Sequence, residues 1–431
     1  MTVPRFDRSS FSGSEPCTRI GAGSLGAKTA GLLDIRTTLE RAIGPSFEGR
    51  IGVEIPRLTA IGTEMFDRIL EDNGLLRAAL VGLPDEQIAR QLTKAELPAD
   101  LIEDLRALLT AVRTPLAVRS SSLLEDDLRE PLAGAYATKM IPNSAPDLDT
   151  RLGQLARAVQ HVYASTFFAE ATAARRAATG SPPDEKMAVL IQQVVGTGQN
   201  GRFYPHVSGV ARSSNFYPLG IAKPSDGSVS LALGLGRTIV DEGIAWSYSP
   251  ACPQANPPYA APRELLGRTQ TEFWAIELAP RTDEGGSASE TEHLGRHSLA
   301  DAELDGTLGL LASTYDPEDD RFVMGLAQRG QRLLDFAPIL KANCIPLNAL
   351  VRELLRACEQ ALGTLVELEF ALTMGASPAE PARFGLLQVR TMMTSRAEIE
   401  LSEGDLVGDN VLVASAAALG NGRLSTVRDL V

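Results

Sequence analysis

The chain has 431 residues, a length that suggests two or three domains or lobes. It carries 41 Lys+Arg against 54 Asp+Glu, and the net charge of −13 removes any global electrostatic reason to bind nucleic acid or an anionic membrane. Hydrophobic residues at 44% and charged residues at 22% exclude a disordered chain, and 5% aromatics argue against a stacking platform for single strands.

In chain order, residues 1–15 are polar and hold no apolar core of a signal peptide. Residues 14–19, Ser-Glu-Pro-Cys-Thr-Arg, make a poor strand. Residues 24–43 read as a helix after a glycine-rich turn. A second helix begins at Thr63, with Met65, Phe66, Ile69 and Leu70 at helical spacing and Asn73-Gly74 as its stop. Residues 85–113 read as one or two helices, ended before Pro115, and Leu116-Ala117-Val118 as a short buried strand. A long helical stretch over 149–179 closes at Gly180-Ser181-Pro182-Pro183, and an apolar strand follows over Met187 to Val195.

Three loops are expected after that. Residues 249–263 contain five prolines, residues 281–302 are rich in Gly, Ser and Glu and read as mobile, and residues 373–383 join two strands. Strands and helices alternate, which points to an α/β or α+β enzyme. Cys17, Cys252, Cys344 and Cys358 form no CxxC pair and no disulfide framework, so reduced thiols and the cytoplasm are expected. No run of about 18 apolar residues predicts a membrane span.

Three segments carry candidate chemistry. Residues 21–26, Gly-Ala-Gly-Ser-Leu-Gly, match the letters of a dinucleotide-binding turn, but the weak strand before them and a helical setting for Glu40 fit poorly. The same stretch nearly matches a P-loop, with Ala27 intruding before Lys28-Thr29. A third reading is a glycine turn that presents Lys28 from a helix start, where backbone N–H groups and the lysine both favour phosphate. All three stay open on these residues.

The second segment runs from Leu116 to Gly134. Arg119 ends an apolar strand and offers a planar fork for phosphate oxygens, Ser120 to Ser122 add donors, and Glu125 and Asp126 follow. An ordinary capped turn fits these residues equally.

The third is a pair of strands, 366–372 and 384–391. Period 2 puts Glu367 and Glu369 on one face, roughly 7 Å apart, with Val366, Leu368 and Phe370 on the other. Gln388 and Arg390 share a face of the second strand. Antiparallel pairing would collect Glu367, Glu369, Gln388 and Arg390, an oxygen-donor set suited to Mg²⁺ and phosphates. A half-exposed sheet with cross-strand ion pairs is the alternative.

Together these segments resemble the N-terminal ATP-grasp domain of the pyruvate phosphate dikinase and phosphoenolpyruvate synthase family, and are similar to rifampin phosphotransferase. The carriers are Lys28, Val118-Arg119-Ser120-Ser121 with Glu125-Asp126, and Glu367-Leu368-Glu369 followed by Leu387-Gln388-Val389-Arg390. Met187 to Val195 resembles the adenine strand and hinge, and Ser208-Gly209-Val210 and Gly234-Leu235-Gly236 resemble glycine turns around the phosphates.

The resemblance implies an α+β, ATP-grasp fold over residues 18–395, with nucleotide bound between two lobes. Those lobes are expected at 18–115 with 186–395, and at 116–185, with 396–431 as a tail or the start of a missing domain. It implies ATP and Mg²⁺ as cofactors. Lys28, Arg119 and Arg390 would be catalytic, and Lys28, Arg119, Ser120, Gln193, Val194, Val195 and Glu367 would hold the nucleotide. Glu369 and Gln388 would bind the metal. The family cleaves ATP to AMP and passes the phosphoryl group to a histidine on a swivelling domain. The expected partners are therefore ATP and a phosphohistidine-domain protein or a small-molecule acceptor, with no nucleic acid and no membrane.

Two departures accompany the resemblance. Arg237 stands where the family commonly has a glutamate, with Asp241 and Glu242 behind it. His161, His206, His293 and His297 all lack the family's Thr-x-His-Ala-like context, and each is expected to be a surface or core residue. These departures keep a second expectation alongside the kinase: a catalytically reduced nucleotide-binding module with a regulatory or scaffolding role.

Overall fold

A computed structural model describes residues 3–122, 134–179, 185–216, 218, 222–240, 243–255, 262–279, 289–327, 329–377, 379–392, 404, 407 and 411–413. Glu125, Asp126, Asp241, Glu242 and almost all of the 396–431 tail lie outside the described residues.

The architecture is α+β, with two large sheets and two small ones among the described residues. The first large sheet orders its strands Cys17–Ile20, Leu58–Ile61, Met187–Gln193, Leu116–Ser122 and Thr138–Ile141. The second orders Trp246–Tyr248, Ser228–Ala232, Val207–Arg212, Val366–Thr373, Ala382–Thr391, Ile51–Glu54 and Ser46–Phe47. A four-stranded sheet includes Glu272–Glu277 and Leu294–Ser298, and a three-stranded one includes Ala312–Asp316 and Arg321–Met324.

Each large sheet has its own apolar core. The helix Thr63–Asp72 buries Met65, Phe66, Ile69 and Leu70, the residues its spacing marks. With Asp85–Lys94, Ala99–Ala111 and Leu148–Ser165 it forms a cluster around Val118, Val189 and Ile191 of the first sheet. The helices Gly26–Ala42 and Leu347–Leu362 pack Leu32, Ile35, Leu350 and Leu354 against Leu368, Phe370 and Phe384 of the second sheet. Gly26–Ala42 also touches the first sheet, so it sits where the two layers meet.

The structure departs from the sequence expectations at several places. Residues 17–20 do form a strand: Cys17–Ile20 pairs in parallel with Leu58–Ile61, and tertiary pairing overrides a weak local signal. The strand expected over 116–118 runs on to Ser122, because Ser120, Ser121 and Ser122 pair with Val189, Ala188 and Met187.

The helix expected over 149–179 is two helices, Leu148–Ser165 and Ala169–Thr179. Thr166 and Phe167 donate to Tyr163 and Ala164 in tight three-residue turns, and Asp85 accepts from the Ala169 N–H to start the second helix. Residues 294–302 of the expected 281–302 loop belong to the strand Leu294–Ser298 and the helix Leu299–Leu304. Ser298 and Asp301 cap that helix reciprocally. Finally, the lobe boundaries expected at 115/116 and 185/186 do not follow the sheets. Leu116–Ser122 and Thr138–Ile141 continue the sheet of Cys17–Ile20, Leu58–Ile61 and Met187–Gln193.

Among the described residues, no helix is long and apolar enough to cross a membrane.

Candidate functional site

The two large sheets meet along a cleft of about 280 Å³. Leu116–Ser122 lies between Met187–Gln193 and Thr138–Ile141, and Arg119 pairs with Leu190 and Thr138 in register. Its guanidinium reaches the second sheet. Nη2 donates to Glu369 Oε2 at 2.9 Å and to Gln388 Oε1 at 2.8 Å, and Nη1 donates to the Leu387 carbonyl at 3.2 Å.

The strands Val366–Thr373 and Ala382–Thr391 pair antiparallel, as their period-2 pattern predicts. Glu369 faces Gln388 and Glu367 faces Arg390. Burial pushes the Glu369 carboxyl up, but Arg119, Arg390 and Lys28 more than reverse this and hold it below its ordinary value. Glu369 is therefore an anion at neutral pH, surrounded by three cations.

Lys28 comes from the first turn of Gly26–Ala42 and is 8% exposed, with Nζ donating to Ser120 Oγ at 3.0 Å. Ser121 Oγ accepts from the Thr29 N–H and donates to the Leu25 carbonyl. Gly26 has φ of +74°, and a Cβ there would lie 1.6 Å from the Ser121 carbonyl oxygen, so only glycine allows this approach.

The earlier part of the turn is occupied differently. The Ala22 N–H donates to Glu64 and the Ser24 N–H to Thr63 Oγ1. Two N–H groups that a dinucleotide or P-loop cradle would aim at phosphate are thus bonded within the protein. Of the three sequence readings, this geometry fits the turn that presents Lys28.

Lys28, Arg119, Gln193, Val194, Val195, Glu369, Gln388 and Arg390 all line the cleft. Ser120 and Glu367 do not. Ser120 is fully buried and holds Lys28. Glu367 is buried beneath two arginines: Oε1 accepts from Arg390 Nε at 2.6 Å and Oε2 takes Arg212 Nε at 2.5 Å. It anchors arginines rather than facing the cleft.

At the hinge, Gln193 and Val194 donate their N–H groups to the Arg57 and Pro115 carbonyls. The proposed turn at Ser208-Gly209-Val210 is instead part of the strand Val207–Arg212. Gly209 there leaves room for the Phe370 ring, which a Cβ would meet at 2.1 Å. Ser208 Oγ bonds the Gly234 carbonyl, and Gly234, with φ of +80°, does make a turn.

Sequence reasoning missed several lining residues. Tyr136, Met140, Ile239 and Leu294 supply apolar wall, and Gln192 and Glu290 supply polar groups. Local pattern could not find them, because they converge only through sheet pairing. Arg237 lines the cleft, lies over the Trp274 ring at 5.4 Å and sits 3.7 Å from Glu290.

The four histidines lie elsewhere. His161 is buried in Leu148–Ser165, and His297 is on a strand with Nε2 2.8 Å from Glu277, not in a loop. His206 Nδ1 accepts from the Met374 N–H, and His293 stands beside Glu292.

The oxygen pair Glu369–Gln388 suits a hard cation that keeps waters and takes its remaining ligands from phosphates. Among the described residues no group of three His, Cys, Asp or Glu could hold a metal by itself. The two oxygens fit Mg²⁺ provided substrate completes the shell.

The sequence profile of the family described as pyruvate phosphate dikinase, AMP/ATP-binding domain, matches residues 22–405. The chain belongs to this family. Its cleft is thus the cleft of an AMP/ATP-binding domain in a family of ATP-dependent phosphotransferases. No curated protein matches the chain.

Proposed function

We propose that this dikinase-family chain is an ATP-grasp phosphotransferase. It takes Mg-ATP between the two large sheets and gives a phosphoryl group to a partner histidine domain or a small-molecule acceptor. One observation carries the reading. Arg119 of one sheet meets Glu369 and Gln388 of the other in a single cleft that Lys28 and Arg390 also line.

Lys28 and Arg119 hold phosphate oxygens. Arg390, oriented by Glu367, neutralises charge that develops on the transferring group. Gln193 to Val195 flank the base. Glu369 and Gln388 would hold Mg²⁺, which would supply positive charge to offset that of the phosphates. Arg119 now sits on both of those oxygens, so nucleotide phosphates are the natural destination of its fork when the oxygens turn to metal. Catalysis is positioning and electrostatics, since phosphoryl transfer leaves the protein little covalent work. Four cysteines with no disulfide are in keeping with a cytoplasmic setting.

Arg237 favours a second reading. A cation stands where the family commonly has a carboxylate, against Trp274 and Glu290. A module that binds nucleotide without turnover would tolerate it.

The test incubates the chain with Mg-ATP, with and without candidate acceptors, and separates AMP from ADP. AMP formation lost in Glu369→Ala and Arg390→Ala supports the phosphotransferase. Tight ATP binding without turnover across acceptors supports the module, and no ATP binding refutes both.

A further inference from the structure

The strand Cys17–Ile20 stands at one edge of the first sheet and carries two like charges side by side. Arg5 makes an isolated parallel bridge to Arg19 of that strand. The Arg19 N–H donates to the Pro4 carbonyl at 2.9 Å, and the Phe6 N–H donates to the Arg19 carbonyl at 2.7 Å, so the register is fixed. Residues paired across a sheet point to the same face, and neighbouring strands lie about 4.8 Å apart. Two guanidinium-bearing side chains are thus held next to each other, an arrangement that costs stability unless an anion joins them.

Both arginines line a hollow of about 800 Å³ that shares no lining residue with the cleft between the large sheets. Four carboxylates also line it, and each is engaged elsewhere. Asp104 pairs with Arg8, and Asp100 takes both Nη atoms of Arg68 at 2.9 and 3.0 Å. Glu64 Oε2 accepts from the Ala22 N–H at 2.8 Å, and Asp7 accepts from the Ser9 and Ser10 hydroxyls. Arg8 and Arg68 are therefore neutralised. Among the described residues, Arg5 and Arg19 make no side-chain hydrogen bond and no ion pair. Phe6 and Met65, both buried, add apolar lining.

We infer that this hollow is a second anion site, for a small compound with two adjacent phosphoryl groups, and that Arg5 and Arg19 each clamp one of them. Two planar forks one strand spacing apart suit neighbouring phosphoryl groups, and each fork can take two oxygens of its group. Phe6 and Met65 give an apolar portion of the compound something to rest on. A long polyanion such as nucleic acid would run onto the surrounding carboxylates, so the ligand is compact. Gly21 and Ala22 line the hollow too, and they begin the turn that presents Lys28. A bound ligand therefore touches that turn without entering the cleft. The inference does not depend on what the cleft binds.

Inorganic pyrophosphate and inorganic phosphate are titrated by calorimetry, without Mg²⁺, into the wild type and three double variants. These are Arg5→Gln/Arg19→Gln, the cleft variant Lys28→Ala/Arg119→Ala, and Arg90→Gln/Arg356→Gln, which removes the same charge outside the hollow. The wild type should bind pyrophosphate about tenfold or more tightly than phosphate, because only pyrophosphate engages both forks. Arg5→Gln/Arg19→Gln should lose this binding by about tenfold or more, and the cleft variant and the charge-matched control should keep it. Without ligand, Arg5→Gln/Arg19→Gln should melt no lower than the wild type, since it relieves a contact between like charges. Added pyrophosphate should raise the wild-type midpoint and leave that of Arg5→Gln/Arg19→Gln in place. A wild type that binds no pyrophosphate overturns the inference. So does a loss confined to the cleft variant, an equal loss in the charge-matched control, or a folded Arg5→Gln/Arg19→Gln that binds as the wild type does.

Discussion

Gly26→Ala and Gly44→Ala form a matched pair that isolates how tightly the two lysine- and arginine-bearing elements are joined. Both glycines flank the helix Gly26–Ala42, and both have φ of +74°. An alanine in that left-handed conformation costs about 1–2 kcal/mol at either site. The surroundings then differ. At Gly44 a Cβ meets nothing within 4 Å, whereas at Gly26 it would lie 1.6 Å from the Ser121 carbonyl oxygen and 2.3 Å from its carbon. No rotamer relieves a contact with backbone, so the helix start or the strand Leu116–Ser122 must move. Overpacking of this kind adds about 1–3 kcal/mol. Gly26→Ala should therefore cost about 2–5 kcal/mol against about 1–2 for Gly44→Ala. The displaced backbone carries Lys28 on one side and Arg119 on the other, so ATP affinity should fall at least about tenfold in Gly26→Ala and stay unchanged in Gly44→Ala. Urea denaturation and nucleotide titration of both variants make the comparison. Equal unfolding midpoints with equal affinities would refute the argument that this close approach holds the phosphate end together.

Three further outcomes follow from the same geometry. On the proposed function, Lys28→Ala and Arg119→Ala would each remove a charged contact with phosphate worth about 1.5–3 kcal/mol, so each should weaken binding of a non-hydrolysable ATP analogue about 10- to 150-fold; a loss under about threefold counts against the site. Gln388→Ala should raise the Mg²⁺ concentration for half-saturation about tenfold while metal-free nucleotide binding changes less, measured by titrating Mg²⁺ at fixed nucleotide. Burial lowers His161 and His206 from 6.5 to about 4, with Lys139 reinforcing and Glu292 opposing the shift at His161. Between those values the unfolded chain binds protons that the folded chain refuses, so stability present at neutral pH is lost as pH falls from 6.5 toward 4. The slope is up to about 1.4 kcal/mol per pH unit for each histidine, and His161→Gln should remove one share of it. Unfolding midpoints that stay flat from pH 6.5 to 4.5 in the wild type would contradict it.

The strand pair at 366–391 was legible because two signals coincided. Alternation placed Glu367 with Glu369 and Gln388 with Arg390, and a connection rich in Gly and Pro made antiparallel pairing the natural closure. The helix at Thr63 was legible through spacing and its Asn-Gly stop. Cys17–Ile20 was not, since it is a short strand whose stability lies in its partners Leu58–Ile61 and in the Arg5–Arg19 bridge on its other side. The strand and helix within 289–304 were hidden by the Gly/Ser/Glu-rich composition just before them. Yet Ser298 and Asp301 spell a capping pair that composition alone obscured.

The site was legible wherever a residue acts from its own strand, and illegible wherever its role depends on a third strand. Glu367 shows the difference. Its position opposite Arg390 follows from one hairpin, and that much the sequence permits. Its second partner, Arg212, comes from Val207–Arg212, which pairs on the far side of the same strand and sets Arg212, Glu367 and Arg390 in one row. One buried carboxylate between two guanidiniums leaves a positive surplus on that row. The row lies one step beyond the Glu369–Gln388 pair and away from Gly385, against which Val195 of the hinge packs. A carboxylate that seemed suited to metal is thus better employed in aiming Arg390. The positive charge of this row, in a chain of net charge −13, is concentrated by pairing a hairpin with a distant strand rather than by any basic run in the sequence.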